Sequence, residues 1–159
     1  MTQRFGQPRL RPRDIVLAYT LLRIVLGLNF FNHGFVRLGN IPGFADSMVE
    51  LFREADSFLP DALVWGPALF VPIIELISGF CITLGLATRP ALIAGFSLMA
   101  MLMYGITLLQ NWTTATSQLV YCLVFFILLA GHGFNRISID RMIQQRQAKT
   151  RQAAPKIDS

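Results

Sequence analysis

Four polar side chains close an otherwise apolar run at Leu28–Leu38: Asn29, Asn32, His33 and Arg37. Asn29, His33 and Arg37 are spaced four apart, so on a helix they stack along one face. Imidazole titrates near neutrality and arginine reaches for headgroups. Such a face is either an interfacial cap or a polar mouth that binds a headgroup and moves protons. Two more ionisable residues sit deeper in apolar runs, Arg23 and Glu75. A charge in hydrocarbon costs at least ~2.5–3.5 kcal/mol, so it pairs, is neutralised or serves function. Counting a rise of about 1.5 Å per residue from the basic ends of their helices puts the two within about 5 Å of one depth. That predicts an Arg23–Glu75 pair or a protonated Glu75; the pair is either glue fixing helix register or the floor of a pocket for a substrate or proton. Pro72, Gly79 and Thr83 share the face of Glu75, with Ser78 adjacent. Small residues permit close helix approach, and this face therefore belongs inside a bundle.

The elements that hold these residues are legible from composition. The chain has 159 residues, 53% hydrophobic and 14% charged, with a mean hydropathy of +0.51. A soluble domain carries roughly 25% charged residues, so the deficit points to a membrane protein. Four runs approach the ~20 apolar residues a span needs: Ile15–Val36, Ala62–Leu86, Pro90–Gln110 and Gln118–Phe134. The first is too long for the apolar core of a signal peptide and is followed by no small-residue cleavage site, so it reads as a retained helix. The expected fold is all-α, a four-helix transmembrane bundle over 15–137, with a basic segment at 1–14. A tail at 138–159 starts amphipathic and ends disordered.

The net charge of +5 is concentrated at the ends: Arg4, Arg9, Arg11 and Arg13 before the first span, and Arg136, Arg141, Arg146, Lys149, Arg151 and Lys156 after the last. With Arg89 in the turn Thr88–Pro90, these place both termini in the cytoplasm by the positive-inside rule. No nucleic-acid motif accompanies the charge. The loop Leu38–Asp61 is acidic and falls outside, with Asn111–Ser117. Within it Phe44, Met48, Leu51, Phe52 and Ala55 recur at helical spacing, which predicts a short amphipathic helix. Trp65 and Trp112 fall at the outer interface. His33 and His132 lie at opposite ends, some 15–20 Å apart, so they cannot share a metal or haem, and no metal site is expected. Cys81 and Cys122 lie on opposite sides, too far apart for a disulfide, whose Cα atoms stay within about 7 Å.

From about Leu21 to Arg141 the chain resembles the DoxX family of small four-helix bacterial membrane proteins. The pieces are Leu22-Arg23-Ile-Val-Leu-Gly27, Asn32-His33-Gly34-Phe-Val-Arg37-Leu38, Glu75-Leu-Ile-Ser-Gly79-Phe, Leu84-Gly85-Leu-Ala-Thr-Arg89-Pro-Ala91, and Gly131-His-Gly-Phe-Asn-Arg-Ile-Ser138-Ile-Asp140. Arg37 stands where the family usually has lysine. The stretch around His132 departs from the common ending, so no role passes to His132. The resemblance implies an integral protein of the cytoplasmic membrane, often described as an oxidoreductase subunit. DoxD-type relatives look like parts of a thiosulfate:quinone oxidoreductase. It implies functional weight on Arg23, His33, Arg37, Glu75 and Arg89. The expected function is therefore a quinone-linked redox subunit. Glu75 and His33 handle protons, while Arg23, Asn29, Arg37 and Arg89 bind the ligand. A quinone is the expected ligand, with no covalently bound cofactor. The expected partners are the lipid bilayer, a redox protein and a second copy of the chain. A proton-linked small-solute transporter and a non-catalytic scaffold are the alternatives.

Overall fold

The computed structural model describes residues 11–153. Six α-helices follow in order: α1 Pro12–Arg37, α2 Ile41–Glu54, α3 Asp61–Leu84, α4 Thr88–Leu108, α5 Trp112–Ala130 and α6 Ile139–Ala153. A single 3₁₀ turn, Leu38–Asn40, joins α1 to α2, and another, His132–Phe134, follows α5. There is no strand among the described residues.

Local chemistry sets the boundaries. Pro12 occupies the first turn of α1, where a missing N–H costs nothing, and Arg37 in its last turn complements the helix dipole. Asn40 caps α2, its Oδ1 accepting the Gly43 N–H at 3.0 Å. Asn111 caps α5 in the same way, accepting from Thr114 at 3.1 Å. Helix α3 ends at Gly85, in the left-handed region at φ 68°, and the Leu86 N–H returns to the Cys81 carbonyl. Ala87 is also left-handed, at φ 44°, and no side chain of its own caps α4.

α1, α3, α4 and α5 are the four helices long and apolar enough to cross a membrane. They carry exposed apolar side chains all along their outer faces, among them Leu21, Val25, Phe70, Ile77, Leu123 and Phe126. A surface of that extent is stable in lipid and not in water. Each spanning helix runs antiparallel to the next, so the bundle has a terminal end, holding the start of α1, the α3–α4 turn and α6, and a distal end holding α2. The core centres on Phe30 and Phe125, in edge-to-face contact at 4.9 Å, with Ile82, Leu92 and Leu128 around them.

α1 packs most extensively on α3. Side chains larger than hydrogen are excluded along that seam: Gly27 lies on Thr83, Gly34 on Pro72 and Leu76, and Gly79 on Phe31. α1 and α5 meet far less closely, leaving between them a groove of about 410 Å³ that contains Asn29, Ser117 and Tyr121.

The amphipathic helix expected in the acidic loop is α2. It lies across α3 with Ala45 and Val49 buried, and the Trp65 indole donates to Asp46 at 2.9 Å to fix the two. The fourth span starts at Trp112 rather than Gln118, because Asn111 caps the helix there, and the hydroxyls of Thr116 and Ser117 turn inward to the Trp112 and Thr113 carbonyls. The tail begins as α6. The expected disorder at its end falls on residues outside those described, as does the start of the basic segment.

Candidate functional site

The α1–α3 seam fixes which charges meet. Because Gly27 faces Thr83, Phe31 faces Gly79 and Gly34 faces Leu76, each step along α1 is matched by one step back along α3. Glu75 is therefore level with Phe35 and Arg23 with the α3–α4 turn. That separates them by twelve residues of α1, about 18 Å. The expected Arg23–Glu75 pair does not form. The depth count assumed that both helices begin in one plane, whereas α1 extends well past the end of α3.

Glu75 instead pairs with Arg37, Nη1 to Oε2 at 2.5 Å. Glu75 is 4% exposed, and the Arg37 side chain reaches partly into the open. The guanidinium carbon lies 4.6 Å from the centre of the Phe44 ring on α2, a cation–π contact that holds the arginine over its carboxylate. Phe44 also lines an apolar cavity of about 190 Å³ between α2, α3 and α4, with Phe52, Val64, Ala68, Val71 and Gly105 among its walls. Ala68, Val71 and Glu75 follow at three and four residues, so Glu75 lies on the same face of α3 one turn beyond the cavity-lining Val71. Pro72 has no N–H to give the Ala68 carbonyl, which loosens the helix at the same place.

Arg23 belongs to the terminal end. It is 2% exposed and donates through Nη1 to the carbonyls of Ile82 at 2.7 Å and Thr83 at 3.2 Å, and through Nη2 to that of Ile137 at 3.0 Å. These are the last carbonyls of α3 and the link into α6. One charge thus answers the last carbonyls of a helix C-terminus and straps the chain beyond α5 to it. The Asp140 carboxylate completes the strap. It accepts from Ala87 N–H at 2.7 Å and from the N–H and hydroxyl of Thr88, each at 2.8 Å, so α6 caps α4 in place of a local residue. Burial raises the Asp140 pKa, but these three hydrogen bonds and nearby His132 outweigh it and hold the carboxyl below its ordinary value.

The other expected site residues lie apart from Glu75. Asn29 accepts from the Tyr121 hydroxyl at 3.1 Å across the α1–α5 groove. His33 is exposed and has no hydrogen bond among the described residues. Arg89 is exposed at the terminal end, while its neighbour Thr88 is the buried, bonded residue. Of the expected set, only Arg37 and Glu75 are brought together. Sequence reasoning missed Phe44, which it used only as an apolar helix position, and the Thr88–Asp140 cap. The signal for the cap was the Ser138-x-Asp140 ending, seen as a motif without a partner.

A four-helix bundle with a buried ion pair beneath an amphipathic cap defines a small polytopic membrane protein. Residues 18–112 match the sequence model of the DoxX family, and the chain belongs to that family. No curated protein and no solved structure matches it.

Proposed function

We propose that the protein binds a quinone-like lipid-soluble molecule as the membrane subunit of an oxidoreductase system. The observation that carries this reading is the Arg37–Glu75 pair, with its buried carboxylate, set against Phe44, which also lines the α2-capped apolar cavity. Ligand sites are mostly apolar with a few placed polar groups, and this arrangement has that form. The cavity volume, about 190 Å³, suits a ring and not a long tail, which would leave between α2 and the bilayer. With Phe44 rotated, Arg37 donates to a ring carbonyl oxygen and Glu75 supplies or takes the proton that accompanies reduction. The sequence has no flavin or nucleotide motif, so electrons come from a partner protein or a soluble donor. The basic terminal end and acidic distal end favour a bacterial inner-membrane protein with both termini cytoplasmic.

The test is purification in mild detergent, solvent extraction and mass spectrometry of retained small molecules. Near-stoichiometric quinone, reduced severalfold in Glu75→Gln and in the cavity-filling Ala68→Leu while both variants stay folded, supports the reading. Bulk phospholipid alone overturns it and leaves a transporter or scaffold role.

A further inference from the structure

A second pocket, of about 290 Å³, lies at the terminal end between the 3₁₀ turn after α5 and the first turns of α6. It is remote from the Arg37–Glu75 pair. Among the residues that line it are His132, Asn135, Arg136, Asp140 and Arg141. The guanidinium groups of Arg136 and Arg141 make no hydrogen bond or ion pair among the described residues. The Nε2 atom of His132 and the Oδ1 atom of Asn135 are buried without a partner among the described residues, and Asn135 is only 8% exposed.

The orientation of Asn135 follows from its neighbours. The single hydroxyl proton of Thr88 goes to Asp140, so the Thr88 oxygen must accept, and the Asn135 group facing it at 3.0 Å is the amide NH₂. Oδ1 is thereby left as a free acceptor. Asp140 lines the pocket too, but its oxygens are already engaged by Ala87 and Thr88, so it opposes an anion less than a bare carboxylate would. What remains at the pocket surface is two arginines as donors, with the His132 nitrogen and the Asn135 amide oxygen buried beside them. An oxyanion answers the two arginines, and arginine is the residue best suited to phosphate.

We propose that this pocket binds a phosphate-bearing group. Phe134, Ile137 and Met142 are apolar, exposed and adjacent in the chain to the lining residues, so they flank the pocket where acyl chains would leave a headgroup. A phospholipid answers the whole surface, and inorganic phosphate shares the headgroup chemistry alone.

The test uses the full-length protein in micelles of a neutral detergent, with thermal unfolding followed during titration of phosphatidylglycerol, phosphatidylcholine or inorganic phosphate. The expected result is saturable stabilisation by phosphatidylglycerol, with an apparent affinity about tenfold or more weaker in R136Q/R141Q. R146Q/K149Q removes the same charge from α6 outside the pocket and is expected to respond like wild type. Saturable stabilisation by inorganic phosphate, also lost in R136Q/R141Q, supports the pocket and assigns it to a free anion. Equal weakening in both double variants, or no difference between the two lipids, reduces the effect to diffuse charge and overturns the proposal.

Discussion

Arg37 and Glu75 join α1 to α3, with the guanidinium held against Phe44, a residue of the cavity that α2 covers. The pair is asymmetric, since the carboxylate is buried and the arginine reaches the open. Removing the arginine therefore strands a charge that has no other hydrogen-bond partner among the described residues. Arg37→Ala is expected to destabilise by about 3 kcal/mol, the lower end for breaking a buried pair. Adding Glu75→Gln to Arg37→Ala should recover part of that loss, because the stranded charge goes. Thermal unfolding in detergent of the two singles and the double decides it, and a double variant no more stable than Arg37→Ala would contradict the asymmetry.

Arg23 makes a different kind of prediction. Its planar fork reaches carbonyls on two segments, Ile82 and Thr83 on one side and Ile137 on the other. A lysine keeps the charge but not the fork. Arg23→Lys should cost about 1–3 kcal/mol and loosen the link into α6. The Asp140 amide, bonded to the Gly85 carbonyl at 2.9 Å, is the reporter. Its hydrogen exchange should accelerate in Arg23→Lys, and unchanged protection would mean that Arg23 does not strap this segment.

The two arginines show what the sequence could and could not convey. Helix number, the amphipathic cap and the inward face of Glu75 follow from periodicity and run length, which are local. The partner of Glu75 depends on the relative shift of α1 and α3. That shift is set by where Gly27, Gly34 and Gly79 let the backbones touch, and of these only Gly79 shares a recognisable small-residue face with Glu75. His33 lies on the same helix as Arg37 at regular spacing, yet one turn of offset leaves it exposed. The cap that Asp140 gives α4 joins residues about fifty positions apart, beyond any local signal.

The seam itself is open to test. A methyl group on Gly79 would fall on the backbone nitrogen of Phe31, while Gly66, on the same helix, has nothing within 4 Å of its added carbon. Gly79→Ala should therefore destabilise by about 1–3 kcal/mol through overpacking. Gly66→Ala should be neutral or stabilise by up to about 1 kcal/mol through helix propensity. Comparing the melting temperatures of the two variants separates steric exclusion from propensity. Similar shifts in both would remove the argument that α1 and α3 are register-locked by glycine.

The Asp140 cap predicts a pH dependence whose sign is fixed. Its carboxyl titrates below the ordinary value of 3.8 because the hydrogen bonds from Thr88 and Ala87 prevail over burial. A carboxylate with a depressed folded pKa contributes stability that is fully present above the unfolded value and is lost as pH falls through the folded one. Between neutral pH and about pH 5 the wild type should hold its advantage over Asp140→Asn. Below the ordinary carboxylate value that advantage should shrink, as protonation removes the anion that α4 is capped with. Asn can still accept one hydrogen bond, so the loss at neutral pH is expected to be about 1–3 kcal/mol rather than the whole of the cap. The check is the difference in melting temperature between the two proteins as a function of pH. A difference that is constant down to strong acid would show that the charge of Asp140 contributes nothing to holding α6 on α4.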